Sequence, residues 1–313
     1  MNPSSNLAVE IKALTKKYDD FKAVNSLNLS IKKGEVFGLL GPNGAGKTTV
    51  LLMLLGLTEP TSGDCKVYGF DPKKETLKIK SIVGYLPERT GAYEHITAKQ
   101  NLKYVARLNH ISSKEIPDLI TDVLQKVGLN DVEEIKVGKF SRGMKQRLCI
   151  ANVLIKDPKV IFLDEPTQGL DPNGITDILN LLKKLNIEKD VTILIASHLI
   201  HQIEQICDRI GIMVNGKMVV QGKIDVLNRM DGQNWLIEIE ALNLSDSLLE
   251  RIKAIQGVVK IERDGEKIII ISDHDIRSFV SKYLIDNNVT INKFLLRDRT
   301  LDELYKKYSG VNK

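Results

Sequence analysis

The stretch Gly41-Pro42-Asn43-Gly44-Ala45-Gly46-Lys47-Thr48, continued by Thr49, has the spacing G-x-x-x-x-G-K-[ST]. Glycines at these positions let backbone N–H groups turn inward and cradle phosphate oxygens, helped by the positive end of the helix that follows. Lys47 is then placed to reach the β- and γ-phosphates of a nucleotide, and the Thr48 hydroxyl to ligate Mg²⁺. A matching acidic pair, Asp164-Glu165, ends the apolar run 160–163. Two adjacent carboxylates at a strand tip are costly to bury without a cation, so a metal role is natural. Alternation along a strand sends neighbouring side chains opposite ways, which lets the pair divide its labour. Asp164 is read as holding Mg²⁺, through water or directly, and Glu165 as polarising the attacking water.

The elements around these residues give the context such chemistry needs. Strand-like runs at 7–14, 27–31 and 36–40 precede a helix at 48–55, which Gly56 and Pro60 stop. Further strand-like segments at 81–86, 160–163, 191–196 and 209–214 alternate with helical patterns, the signature of an α/β fold with a mainly parallel sheet. Between about 92 and 156 the pattern is nearly all helical, which predicts a helical subdomain inserted into the sheet core. Near 225–232 the character changes, so residues 1–226 are expected to form one domain and 227–313 another. The second part reads strand, helix, strand, a tight Asp264-Gly265 turn, strand, helix and strand, followed by a last helix from Leu301. That βαββαβ order is ferredoxin-like, a small α+β arrangement.

Composition narrows the partners. The chain has 313 residues, a formal net charge of +5, 42% hydrophobic and 27% charged residues. It lacks the dense basic stripe that releases counterions from nucleic acid, so no nucleic-acid partner is expected. Cys65, Cys149 and Cys207 are isolated in sequence, with no metal spacing and no disulfide framework. No charged-then-apolar leader opens the chain, and the apolar run at 50–55 falls far short of the roughly 18 residues a spanning helix requires. If the protein acts at a membrane, another protein is expected to cross it.

Further segments carry a family resemblance. Phe140-Ser141-Arg142-Gly143-Met144-Lys145-Gln146-Arg147 resembles the signature motif of the ATP-binding cassette (ABC) ATPases. Gly169-Leu170-Asp171-Pro172 resembles their D-loop, Ser197-His198 their switch histidine, and the segment from Gly84 to Arg89 stands where their Q-loop lies. The resemblance covers roughly residues 7–226. It implies a P-loop NTPase core that binds ATP and Mg²⁺, with Tyr18 stacking on adenine and His198 contacting the γ-phosphate. It also implies a site shared by two copies, in which Ser141 and Gly143 of one contact the nucleotide on the other's loop. Two departures stand out. Arg142 and Met144 interrupt the usual Gly-Gly-Gln, and Glu88 replaces a glutamine that would ligate Mg²⁺ alongside Thr48 and Asp164. Glu88 as a plain surface acid is the competing reading.

The added C-terminal part and the Arg-Gly-Met-Lys-Gln wording are similar to the drug, antibiotic and polysaccharide exporter group. That similarity implies an integral membrane permease as partner, a place at the cytoplasmic face of the cell membrane, and a regulatory or dimer-supporting C-terminal domain. The alternative is a soluble ABC ATPase with a role outside transport.

Overall fold

The computed structural model describes residues 6–89, 91–224, 226–227 and 235–297. Its contacts divide the chain between Lys223 and Ile224 into two units, close to the boundary at 226 read from the sequence. The helix expected from Leu301 lies outside the described residues.

In the N-terminal unit, β1 (Leu7–Tyr18) and β2 (Phe21–Lys32) form an antiparallel hairpin longer than the sequence pattern suggested. Its register shifts several times, and Ala13 and Ser26 take left-handed backbone, with φ of 46° and 51°. Such irregularities break the alternation by which a strand is recognised in sequence. β3 (Val36–Leu40) runs into the phosphate loop and α1 (Lys47–Leu54), after which β4 (Ser62–Val67) returns to pair with β1. α2 (Thr76–Ile82) precedes β5 (Val83–Leu86). Ser81 and Ile82, read above as strand, are therefore the end of a helix. The alternating run Leu77-Lys78-Ile79-Lys80 mimics strand patterning, but Ile79 is the position it buries.

The helical insertion contains α3 (Ala98–Leu108), α4 (Ile116–Val127) and α5 (Arg142–Leu154), with no strand among the described residues of 92–156. Local signals set their ends. Thr97 and Gln100 form a reciprocal capping box on α3, and Gly128, with φ 67°, closes α4. β6 (Val160–Asp164), α6 (Pro172–Lys189), β7 (Thr192–Ser197), β8 (Arg209–Val214) and β9 (Lys217–Lys223) complete the unit.

Among the described residues, the larger sheet has the order β5-β6-β7-β3-β8-β9 and is parallel except at its β8–β9 end. The smaller sheet has the order β2-β1-β4. β3, β6 and β7 are buried along their whole length, as parallel strands covered on both faces must be. One apolar core joins both sheets to α1, through Leu14, Leu27, Phe37, Leu51, Leu54 and Phe162.

In the C-terminal unit, β10 (Trp235–Leu242), β11 (Val258–Asp264), β12 (Lys267–Ser272) and β13 (Thr290–Arg297) form an antiparallel sheet of order β11-β12-β10-β13. Helices Asp246–Lys253 and Arg277–Asp286 complete the ferredoxin-like arrangement. Asp264 pairs with Lys267, so the turn residues are Gly265 and Glu266, one step later than the sequence reading. The sheet and helices enclose a core rich in isoleucine.

Candidate functional site

The site is built where β3, α1, β6 and β7 meet. Within the loop, Gly44 and Gly46 take φ of 80° and 101°, backbone that L side chains rarely adopt. A Cβ on Gly46 would also lie 2.2 Å from the Ala23 carbonyl oxygen, so nothing larger fits. Lys47 is 6% exposed, and its Nζ donates to the carbonyls of Gly41 at 2.7 Å and Pro42 at 3.1 Å. The Thr48 hydroxyl donates to Asp164 Oδ2 at 2.7 Å, linking α1 to the tip of β6.

Glu165 does not continue the strand. β6 ends at Asp164, and Glu165 takes a left-handed φ of 50°. The expectation that strand alternation separates the two carboxylates is thereby corrected: a turn, not a pleat, aims Glu165. A non-glycine residue in that conformation is strained and persists where its surroundings over-determine it. Here the Glu165 N–H donates to Ala196 O at 2.9 Å, and Ser197 Oγ donates to Glu165 Oε2 at 3.0 Å. Oε1 lies 3.8 Å from Lys47 Nζ and 2.9 Å from His198 Nδ1. The His198 approach is off the hydrogen-bond line, and this buried nitrogen has no other partner among the described residues.

Burial is the leading influence on both flanking charges. It pushes the Lys47 ammonium below its ordinary value, against the opposing pull of Glu165, Asp164 and Glu88. It pushes the Asp164 carboxyl above its ordinary value; the Thr48 hydrogen bond opposes this, while Glu165 and Glu88 add to it. Two acids therefore share one lysine in a place that water scarcely reaches.

A cavity of about 450 Å³ opens over these groups. Residues 43–49 form its floor, Asp164, Glu165 and Glu88 one side, and Tyr18 with Phe21 its rim. Gly41 and Pro42 give their carbonyls to Lys47 instead of lining it. Glu88 is exposed but belongs to this cavity, so the plain-surface reading of it is weakened. Phe21 is absent from the sequence reading. Tyr18 and Phe21 pair across the two-residue turn of the β1–β2 hairpin, which puts both rings on one face, and the turn Asp19-Asp20 was the signal for it. Lys16 Nζ sits 4.8 Å from the centre of the Tyr18 ring. The oxygens of Thr48, Asp164 and Glu88 are the hard donors a divalent cation takes.

Ser141 and Gly143 stand apart from this cavity. Ser141 is exposed and caps α5, accepting from Met144 N–H at 3.2 Å, and Gly143 faces open space. Asp171 caps α6, accepting from Gly174 N–H at 2.6 Å.

Known proteins share this organisation. Residues 24–168 match the family described as ABC transporter. The bacitracin transport ATP-binding protein BcrA of Bacillus licheniformis is 37% identical over 301 residues, covering 95% of each chain. The linearmycin resistance ATP-binding protein LnrL of Bacillus subtilis (strain 168) is 32% identical, covering 96% of this chain and 98% of its own. Among solved structures, the dimeric ATP-binding cassette MJ0796 in a post-hydrolysis state with ADP and Pi aligns with a TM-score of 0.62. It is 27% identical and covers 69% of this chain and 98% of its own. No described helix is long and apolar enough to cross a membrane. Likeness of this extent, centred on a phosphate loop and an acidic pair in working register, makes the chain a member of the ABC transporter family, an ATP-binding subunit with ATPase activity.

Proposed function

We propose that two copies of this chain work beneath a separate integral membrane permease, at the cytoplasmic face of the cell membrane, and that their ATP hydrolysis drives export. ATP-binding subunits of this family work with membrane subunits and dimerise. One observation carries the two-copy reading. The signature residues Ser141 and Gly143 are outside the cavity of their own chain, at the start of α5, where Ser141 is exposed and a Cβ on half-buried Gly143 would meet only open space. A helix N-terminus suits an anion, so they are free to meet a nucleotide held by the other copy. Export is supported by the transport and resistance roles in the names of BcrA and LnrL.

Within each site, residues 43–49 hold the phosphates, and Tyr18, joined by Phe21, holds the base. Glu165 polarises water, and His198 positions it against the γ-phosphate. Mg²⁺ fits the donor set: Thr48 and Asp164 already converge at 2.7 Å, two acids outnumber one lysine, and Glu88 adds a third oxygen. When bound, Mg²⁺ neutralises charge on the phosphate oxygens. The C-terminal unit is assigned a regulatory or dimer-supporting part.

The test uses Glu165→Gln, which should hold ATP without turning it over. Light scattering should then show monomers converting to dimers when ATP and Mg²⁺ are added. Adding Ser141→Arg, a bulky charge on the shared surface, should abolish the conversion. Equal dimerisation with and without Ser141→Arg would defeat the shared-site reading.

A further inference from the structure

Arg142 interrupts the family's Gly-Gly, and the site described above gives it no role. Its guanidinium packs face-on against Gly169: a Cβ there would lie 2.0 Å from Nη2, 2.1 Å from Cζ and 2.3 Å from Nη1. Gly169 also has φ of 69°, so this contact requires a glycine twice over. Nη2 donates to the Gln168 carbonyl at 3.3 Å. One turn along α5, Gln146 Nε2 donates to the Pro166 carbonyl at 2.6 Å. Residues four apart share a helix face, so one face of α5 grips two carbonyls of the turn 166–169.

That turn starts from the catalytic carboxylate. Gln168 N–H donates to Glu165 O at 3.1 Å, and Leu170 N–H donates to Thr167 O at 3.2 Å. Glu165, in its left-handed conformation, is pinned to β7 through Ala196 on one side. On the other side, Arg142 and Gln146 on α5 hold the turn that keeps it there.

We propose that Arg142 is a positioning residue which, together with Gln146, clamps the turn 166–169 to α5 and so aims Glu165 for hydrolysis. Ser141 caps α5, so the helix that serves a partner's nucleotide also sets the base in its own chain. That link alone rests on the two-copy reading. A planar fork is needed, because it both covers Gly169 and donates to a carbonyl, whereas an ammonium acts as a point charge. Charge alone at an exposed surface would be served equally by lysine.

The experiment is steady-state ATPase kinetics of the full chain as wild type, Arg142→Ala, Arg142→Lys, Gln146→Ala and the double alanine variant. ATP-driven dimerisation is measured for each in the Glu165→Gln background. Arg142→Ala should lower kcat by about 10-fold, the order expected when a catalytic group is slightly misplaced. KM should stay within about 2-fold, and dimerisation and melting temperature should hold. Arg142→Lys should recover only part of the loss. The double variant should lose less than the product of the single losses, because both side chains act on one turn. An unchanged kcat in Arg142→Ala, full recovery by lysine, or a defect confined to KM and dimerisation would each overturn the clamp. A kcat defect in a protein that never dimerises would sink the two-copy reading and leave the clamp standing.

Discussion

Two buried acidic sites, one in each unit, are balanced in opposite ways. In the C-terminal unit, Glu238 is 5% exposed and has two cations, Lys293 at 2.9 Å and Lys267 at 3.1 Å. In the N-terminal unit, Asp164 at 2% and Glu165 at 7% exposure share one cation, Lys47, which spends its hydrogen bonds on loop carbonyls. The C-terminal core is aliphatic, built on Ile237, Ile239, Ile268 and Ile270. The N-terminal core is equally apolar until it reaches the cavity, where strain and unbalanced acid appear together. One acid with two cations is a structural pair. Two acids with one cation form a site short of positive charge, and the divalent metal ion that accompanies a nucleotide would supply what is lacking.

The largest expected effects fall on that unbalanced site. Glu165→Gln should leave nucleotide affinity intact and slow hydrolysis by about 10²–10⁴-fold, the range for loss of a general base. Lys47→Ala should remove measurable ATP binding itself, by titration calorimetry or filter binding. Undiminished hydrolysis in Glu165→Gln would take the charge imbalance out of the chemistry.

A second experiment tests the aliphatic side of the contrast. Ile270→Ala deletes fully buried side-chain atoms and should destabilise the C-terminal unit by about 2–5 kcal/mol. Trp235, the only tryptophan in the sequence, opens β10 and reports on that unit. Its fluorescence should show an earlier denaturant midpoint, with kcat at 25 °C unchanged. A proportionate fall in kcat would break the separation between packing and chemistry.

The smallest expected effect has the opposite sign. Burial raises the Asp164 carboxyl, so the folded protein keeps that proton to higher pH than the unfolded chain does. Stability from the raised value exists below the unfolded carboxyl's pKa and is lost as pH rises through the folded one. At neutral pH the ionised carboxylate is therefore a burden on the nucleotide-free protein. Asp164→Asn keeps an acceptor for Thr48 and should raise Tm by roughly 2–4 °C, the shift that accompanies about 1 kcal/mol. The gain should vanish in acid, where wild-type Asp164 is protonated. A lower Tm at neutral pH would show Asp164 to be as well compensated as Glu238.

The parts of the site legible in the sequence were those fixed by neighbours in the chain. Spacing alone located the loop 41–48, and an apolar run with two carboxylates located Asp164 and Glu165. The left-handed turn at Glu165 was not legible, because β7 and α5 impose it from distant parts of the chain. β4 is short and polar, with its alternation visible only once β1 is beside it. β9, exposed at alternate positions, pairs only at its β8 edge in the sheet order. Phe21 escaped for a related reason: register shifts along β1–β2 broke the strand pattern on both sides, so the Asp19-Asp20 turn that sets it beside Tyr18 had no recognisable strands to join.

The sheet order also governs how the protein is made. β7 lies between β3 and β6, yet it leaves the ribosome after both of them. Until it arrives, β3 and β6 cannot take their places, and Thr48 cannot meet Asp164, 116 residues away. Non-local pairing of this kind forms late and leaves strand edges open in the meantime. A nascent or truncated chain ending before Ser197 would carry a complete phosphate loop with nothing to close it. Ligand binding stabilises only the form that binds it, so ATP in the cell rewards the finished sheet and none of its precursors.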